Sequence, residues 1–220
     1  EPQATNLLLR SEDYANAYWL KTDITATLTN ETLGVRGNSN EATKIVEGTA
    51  NTAILQSGSV SVTANTRYCL YYIIKKGSGN DWVRVRHTDG GSNGANCWFN
   101  INTMSAGLIS PIGTGSSYTS GVIALSNSYM VIRVSGITGT STTFIGQILS
   151  ATGNGQTNRV NNANYYLNGS QIELGQFPTS YIQTTTATVT RSADVATMST
   201  GAWYNASEGS ALATYYNRGI

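Results

Sequence analysis

Apolar and polar residues alternate along most of the chain. In "DWVRVRH", Val83, Val85 and His87 fall on one side, and Trp82, Arg84 and Arg86 on the other. In "RYCLYYIIK" the more apolar set is Tyr68, Leu70, Tyr72 and Ile74, opposed by Cys69, Tyr71, Ile73 and Lys75. "NCWFNI" places Cys97, Phe99 and Ile101 inward and Trp98 and Asn100 outward; "SYMVIRV" places Met130, Ile132 and Val134 inward and Tyr129, Val131 and Arg133 outward. A period of two is the signature of half-buried strands. Further short runs of this kind ("SGSVSV", "GVIAL", "TFIGQIL", "YYLNGSQIEL", "TATVTRSAD") are separated by Gly, Ser and Asn clusters such as "DGGSNGAN" and "SATGNGQTN". The pattern predicts an all-β, antiparallel two-sheet sandwich or barrel. Helix is expected for one turn at most, near Tyr14 to Tyr18 or Asp194 to Met198.

The outward set raises the functional question. Tyr71, Trp82, Arg84, Arg86, Trp98, Tyr129 and Arg133 are aromatics and arginines on strand positions that face away from the expected core. Aromatic rings pack on the C–H face of a pyranose, and a guanidinium offers a planar fork to paired hydroxyls or a carboxylate. The same residues also suit packing beneath a loop, or a contact with a neighbouring subunit or domain.

Composition narrows the partners. The 220 residues carry 13 basic and 12 acidic side chains, a net charge of +1, so nothing draws the chain to nucleic acid. Charged residues make up 11%, and Ser, Thr, Asn and Gly take their place, giving a polar surface suited to neutral, hydroxyl-rich ligands. No apolar run approaches the roughly 18 residues of a membrane span, and "EPQATNLLL" lacks the basic and apolar regions of a signal peptide. Cys69 and Cys97 are expected on opposite faces of their strands, which argues against a disulfide between them. The single histidine, His87, faces inward and reads as a core residue rather than a catalytic base. The acidic residues show no recurring local pair of the glycosidase kind except Glu12-Asp13 in a polar loop, and the Gly-rich loops lack a P-loop ending. No motif asks for an enzyme.

Three segments resemble a known modular unit: "NLLLRSEDYANAYW", "VSVTANTRYCLYYIIKKGSGNDWVRVR" and "GSQIELGQFPTSYIQTTTATVTRSADV". Together they are similar to the jelly-roll carbohydrate-binding modules found in bacteriophage tail-fibre and other virion proteins and in some polysaccharide-acting enzymes. The resemblance spans roughly Asn6 to Met198. It implies a two-sheet jelly roll with a non-catalytic role in a virion or a secreted multidomain protein: recognition of a surface polysaccharide, or service as a spacer or decoration domain whose aromatic face is an oligomer contact. The partners it implies are a polysaccharide or cell-surface glycan, a homo-oligomer such as a trimer, or neighbouring domains of a longer chain. Where relatives carry a tryptophan in the strand before the glutamate, this chain has Asn168. Jelly-roll modules often hold a structural calcium ion, for which Asn6, Glu12, Asp13 and Glu173 are the oxygen donors here, unless Glu12 and Asp13 instead cap a turn before "YANAYW". Residues 1–198 form the expected domain. Residues 199–220, with "WYNASEG" resembling the opening of a second lectin-like sandwich, either begin another domain or dock back on the first.

Overall fold

A computed structural model describes residues 1–29, 31–89 and 92–195; the expectations for 199–220, and that of a turn from Asp194 to Met198, lie outside them or run beyond them. Among the described residues the strands are β1 (Ala4–Asn6), β2 (Leu20–Thr22), β3 (Ile24–Thr29), β4 (Ala42–Glu47), β5 (Ile54–Gln56), β6 (Val60–Ser61), β7 (Arg67–Lys76), β8 (Trp82–Thr88), β9 (Gly94–Asn100), β10 (Ser105–Ile112), β11 (Ser116–Ala124), β12 (Tyr129–Ile137), β13 (Thr143–Ala151), β14 (Asn164–Leu174) and β15 (Val189–Arg191). The front sheet runs β10-β9-β8-β13-β5-β2, with β6 also on β13; the back sheet runs β11-β12-β7-β14-β4-β3; β1 and β15 form a separate ribbon.

The pairing order identifies the architecture. β4 lies antiparallel beside β14, β5 beside β13, β7 beside β12, and β8 beside β9. Early strands therefore pair with late ones, working inward to the β8–β9 hairpin, and this wrapped hairpin is split between two sheets. That is a jelly roll.

The expected strand phases hold. Tyr68, Leu70, Tyr72 and Ile74 of β7, Val83 and Val85 of β8, Cys97 and Phe99 of β9 with Ile101 beyond it, and Met130, Ile132 and Val134 of β12 join one buried cluster between the sheets. Trp82, Arg84 and Arg86 consequently point out. A slip of one residue would bury two guanidiniums in the core, at a cost of several kcal/mol. Cys69 and Cys97 are buried and free, as their opposite facing required.

A second apolar cluster was not expected. Ala42, Tyr71, Ile73, Tyr129 and Val131 lie on the outer side of the back sheet, under Val35, Leu125 and Tyr181 from the loops. β7 is thus covered on both sides, which explains why its outward positions are also apolar. The chain near Tyr14 to Tyr18 forms no helix; it makes successive tight turns, with Asn16 N–H donating to Asp13 O and Trp19 N–H to Asn16 O. A short 3-10 turn at Ser126–Ser128, with Asn127 at φ 55°, was not expected. Among the described residues no helix is long and apolar enough to cross a membrane.

Candidate functional site

The seven outward residues do not share one surface. Trp82, Arg84 and Arg86 on β8 and Trp98 on β9 face out from the front sheet. Tyr71 on β7 and Tyr129 and Arg133 on β12 face out from the back sheet. Two packed sheets, about 10 Å apart, separate the groups. On the back sheet Tyr71 and Tyr129 are buried, so neither ring offers a platform. Arg133 stacks at 5.0 Å on the ring of Phe177, itself 62% exposed.

The front group is partly roofed. The β13–β14 connection crosses it, tied at several points: Trp98 Nε1 donates to Gln156 O at 2.7 Å, Leu108 N–H to Asn154 Oδ1 at 2.7 Å, and Arg159 Nε to Ala53 O at 2.9 Å. Beneath it Trp98 is only 3% exposed and Arg84 8%, with the Arg84 guanidinium 6.0 Å from the Trp98 ring centre. Trp82 stays half-buried beside Gly107, where an added Cβ would stand 2.7 Å from the indole. Sequence reasoning left glycan contact and loop packing open for this group. The structure gives loop packing to Trp98 and leaves Trp82 and Arg86 at a half-open margin.

At that margin lies a feature the sequence did not announce. The register aligns Gln56 of β5, Gln147 of β13, Arg86 of β8 and Asn96 of β9 side by side across four strands. Gln147 Nε2 donates to Gln56 Oε1 at 2.6 Å, and Arg86 Nη1 donates to Gln147 Oε1 at 2.9 Å. Neighbouring strands are about 4.8 Å apart, so planar polar groups repeat at that spacing. Arg86 Nε and Asn96 Oδ1 are shielded from water and have no hydrogen-bond partner among the described residues. The available signal was Gln147, a lone amide in the apolar run "TFIGQIL", but its neighbours become visible only once the strand order is known.

Burial sets the electrostatics. It lowers the pKa of Arg84 to about 10, assisted by the nearby charges of Arg159 and Arg86. Burial also pulls Arg86 and Arg159 down, and for Arg159 the carboxylate of Glu47 opposes this. Arg84 Nε is another shielded donor without a partner.

The four expected calcium donors do not come together. Asn6 spends both ends of its amide on backbone: Nδ2 donates to Ser170 O and Ile182 O, and Oδ1 accepts from Leu8 N–H and Ile172 N–H. Both Glu173 oxygens are taken, by Thr179 N–H and Thr179 Oγ1. Glu12 is bound by Arg36 and Gln183, and Asp13 lies 3.7 Å from Arg10. Among the described residues no group of three or more His, Cys, Asp or Glu is placed to hold a metal ion. This donor set does not fit calcium, and the two acids do not cap a helical turn either. Asn168, at the place of the relatives' tryptophan, is a buried bracket instead: Oδ1 accepts from Val35 N–H, and Nδ2 donates to Glu41 O.

A concavity of about 320 Å³ lies at the β3–β4 edge and is lined by residues that include Glu12, Asp13, Arg36, Asn40, Glu41 and Thr43. Its charges largely satisfy one another, with Arg36 2.7 Å from Glu12 and 3.5 Å from Glu41. His87 lies in the core, its ring 4.4 Å from that of Phe144 and both nitrogens unpartnered. Burial lowers its pKa to about 3, so it is neither charged nor within reach of a substrate.

No protein-family model matches the chain, and no curated protein sequence matches it. Among solved structures, the CBM22-1 xylan-binding domain from Paenibacillus barcinonensis Xyn10C is similar at 12% identity and a TM-score of 0.43, over 79% of this chain and 97% of that one. The Clostridium thermocellum Xyn10B CBM22-1–GH10 modules, complexed with xylohexaose, are similar at 10% identity and a TM-score of 0.42, over 83% of this chain and 30% of that one.

Proposed function

We propose that this chain is a non-catalytic carbohydrate-binding module and that the outer face of its front sheet is the binding surface. The observation that carries the reading is the row Gln56–Gln147–Arg86–Asn96, an ordered line of amides and a guanidinium whose outer members, Arg86 and Asn96, are half-buried at the margin of the roof. Arg86 and Asn96 are only half-buried, so their outer N–H groups can be reached, and a sugar hydroxyl, donor and acceptor at once, bonds amides and guanidinium alike. The half-buried Trp82 indole borders the row as an apolar wall. The row itself is made of amides and a guanidinium and carries no carboxylate, whereas glycoside cleavage takes a pair of them, which supports a surface that holds its ligand. A surface polysaccharide is met outside the cell, which suits a virion or secreted protein.

Affinity electrophoresis through gels containing neutral and acidic polysaccharides tests the reading. The chain should be retarded by at least one polymer. Gln147→Ala and Asn96→Ala should each weaken retention about fivefold to tenfold, which corresponds to about one hydrogen bond. Free migration through every polymer, or variants retained as well as the parent, would overturn it. Free migration together with self-association in light scattering would favour the spacer reading.

A further inference from the structure

On the reading of the front sheet as a glycan site, we propose that its ligand is acidic: a polysaccharide bearing uronate carboxylates, one of which is taken by the paired guanidiniums of Arg84 and Arg86. The two residues lie two apart on β8 and project from the same side of the sheet. Among the described residues neither has an ion-pair partner; the paired cations there are Arg10, Arg36, Lys44, Lys76, Arg191 and the N-terminal ammonium. Arg86 has one hydrogen bond, to an uncharged amide. Arg84 is more than nine-tenths buried, rests on Trp98 and leaves its Nε unpartnered.

Arg84, shielded and placed two residues from the half-buried Arg86, is a buried positive charge without an anion, which is unfavourable. Contact between Arg84 and the indole offsets only part of that, about 2 kcal/mol. Arg159, arriving on the roofing loop, adds to the positive field, although buried Glu47 compensates it in part. A planar carboxylate complements this arrangement, because its two oxygens accept parallel N–H donors from a guanidinium fork, and charge-assisted bonds are roughly twice as strong as neutral ones. The amides of Gln147 and Asn96 then lie beside the carboxylate for the hydroxyls of the same chain of sugars. With a net charge of only +1, general attraction to polyanions does not account for such a preference.

The test uses the whole chain and polymer pairs that differ only in charge: polygalacturonate, alginate and hyaluronan, each beside its carboxyl-reduced form. Titration calorimetry at low salt should give, for at least one pair, binding about tenfold or more tighter to the uronate form, weakening as salt is raised. Arg86→Gln should shrink that preference to about twofold. Arg84→Met, which keeps an apolar stem over Trp98, should do the same with an unchanged or higher melting temperature, since it removes a buried charge without a partner. Equal affinity for charged and reduced forms would overturn the acidic ligand and leave the glycan reading standing. Failure to bind any charged, reduced or neutral polymer would overturn both. An Arg84→Met protein that melts early but keeps the preference would show that the guanidinium is structural, and would also overturn the proposal.

Discussion

His87 is buried against Phe144 and Tyr118 with no hydrogen-bond partner for either ring nitrogen. Its pKa falls from 6.5 to about 3 because the imidazolium would lie in an apolar core. Between these values the unfolded chain binds a proton that the folded chain refuses. The stability His87 contributes is therefore fully present above about pH 6.5 and is lost as pH falls towards 3, by about 1.4 kcal/mol per pH unit. Glu47 and Glu173 act in the opposite sense. Burial raises both above 4.5, so the stability they contribute is present at low pH and is lost as pH rises through their folded values. His87→Leu separates the two. Its melting temperature should decline less than that of the parent between pH 7 and pH 4; parallel declines would show that the buried imidazole is not responsible. The inward position of His87 was legible from "VRVRH" alone, because a strand of period two leaves its side chains no other choice.

Among the elements, the β1–β15 ribbon and the return segment after β14 depend on Asn6. Its amide binds the backbone of Ser170, Ile182, Leu8 and Ile172, none of which has water as an alternative there. Ser11 and Thr184 extend the same seam, with Thr184 N–H donating to Ser11 Oγ and Thr184 Oγ1 to Leu8 O. The segment "FPTSYIQTTT" thereby closes over the back sheet, and its Tyr181 hydroxyl meets Ser11 at 2.6 Å. Asn6→Ala should cost at least about 2 kcal/mol, or a fall of about 4–8 °C in melting temperature. Thermal denaturation of the variant checks this, and a fall under 1 °C would contradict the bracket. Strand phases were readable because each depends on adjacent residues. Roofs were not readable, since the 152–162 and 175–184 segments lie over strands far away in sequence. β7 and β12 did carry a hint: Tyr71 and Ile73, and Tyr129 and Val131, are apolar on the side that a one-faced strand gives to water. Asn6 and Glu173, taken for calcium donors from their residue type, prove to be brackets for backbone that the pattern of alternation could not place.

In the whole molecule, the jelly roll has two outer faces with different chemistry. The back face is sealed by loops over a second apolar cluster. The front face keeps a polar row and two arginines that have no ion-pair partner among the described residues, Arg86 at the edge of its roof and Arg84 beneath it. Treating the outward aromatics and arginines as one platform followed from knowing each strand's phase without knowing its sheet. Once β7 and β12 are assigned to one sheet and β8 and β9 to the other, only Trp82, Arg84, Arg86 and Trp98 remain together, joined by Gln56, Gln147 and Asn96. The central claim is that glycan binds across this row. It is tested most directly by nuclear magnetic resonance, titrating the isotope-labelled chain with oligosaccharides of whichever polymer retards it. The account predicts that the side-chain amides of Gln56, Gln147 and Asn96, the Trp82 indole and the backbone of β8, β9 and β13 shift together with a single affinity. Shifts confined to the β3–β4 cleft around Glu12, Arg36 and Glu41, or to the back sheet around Arg133 and Phe177, would contradict it.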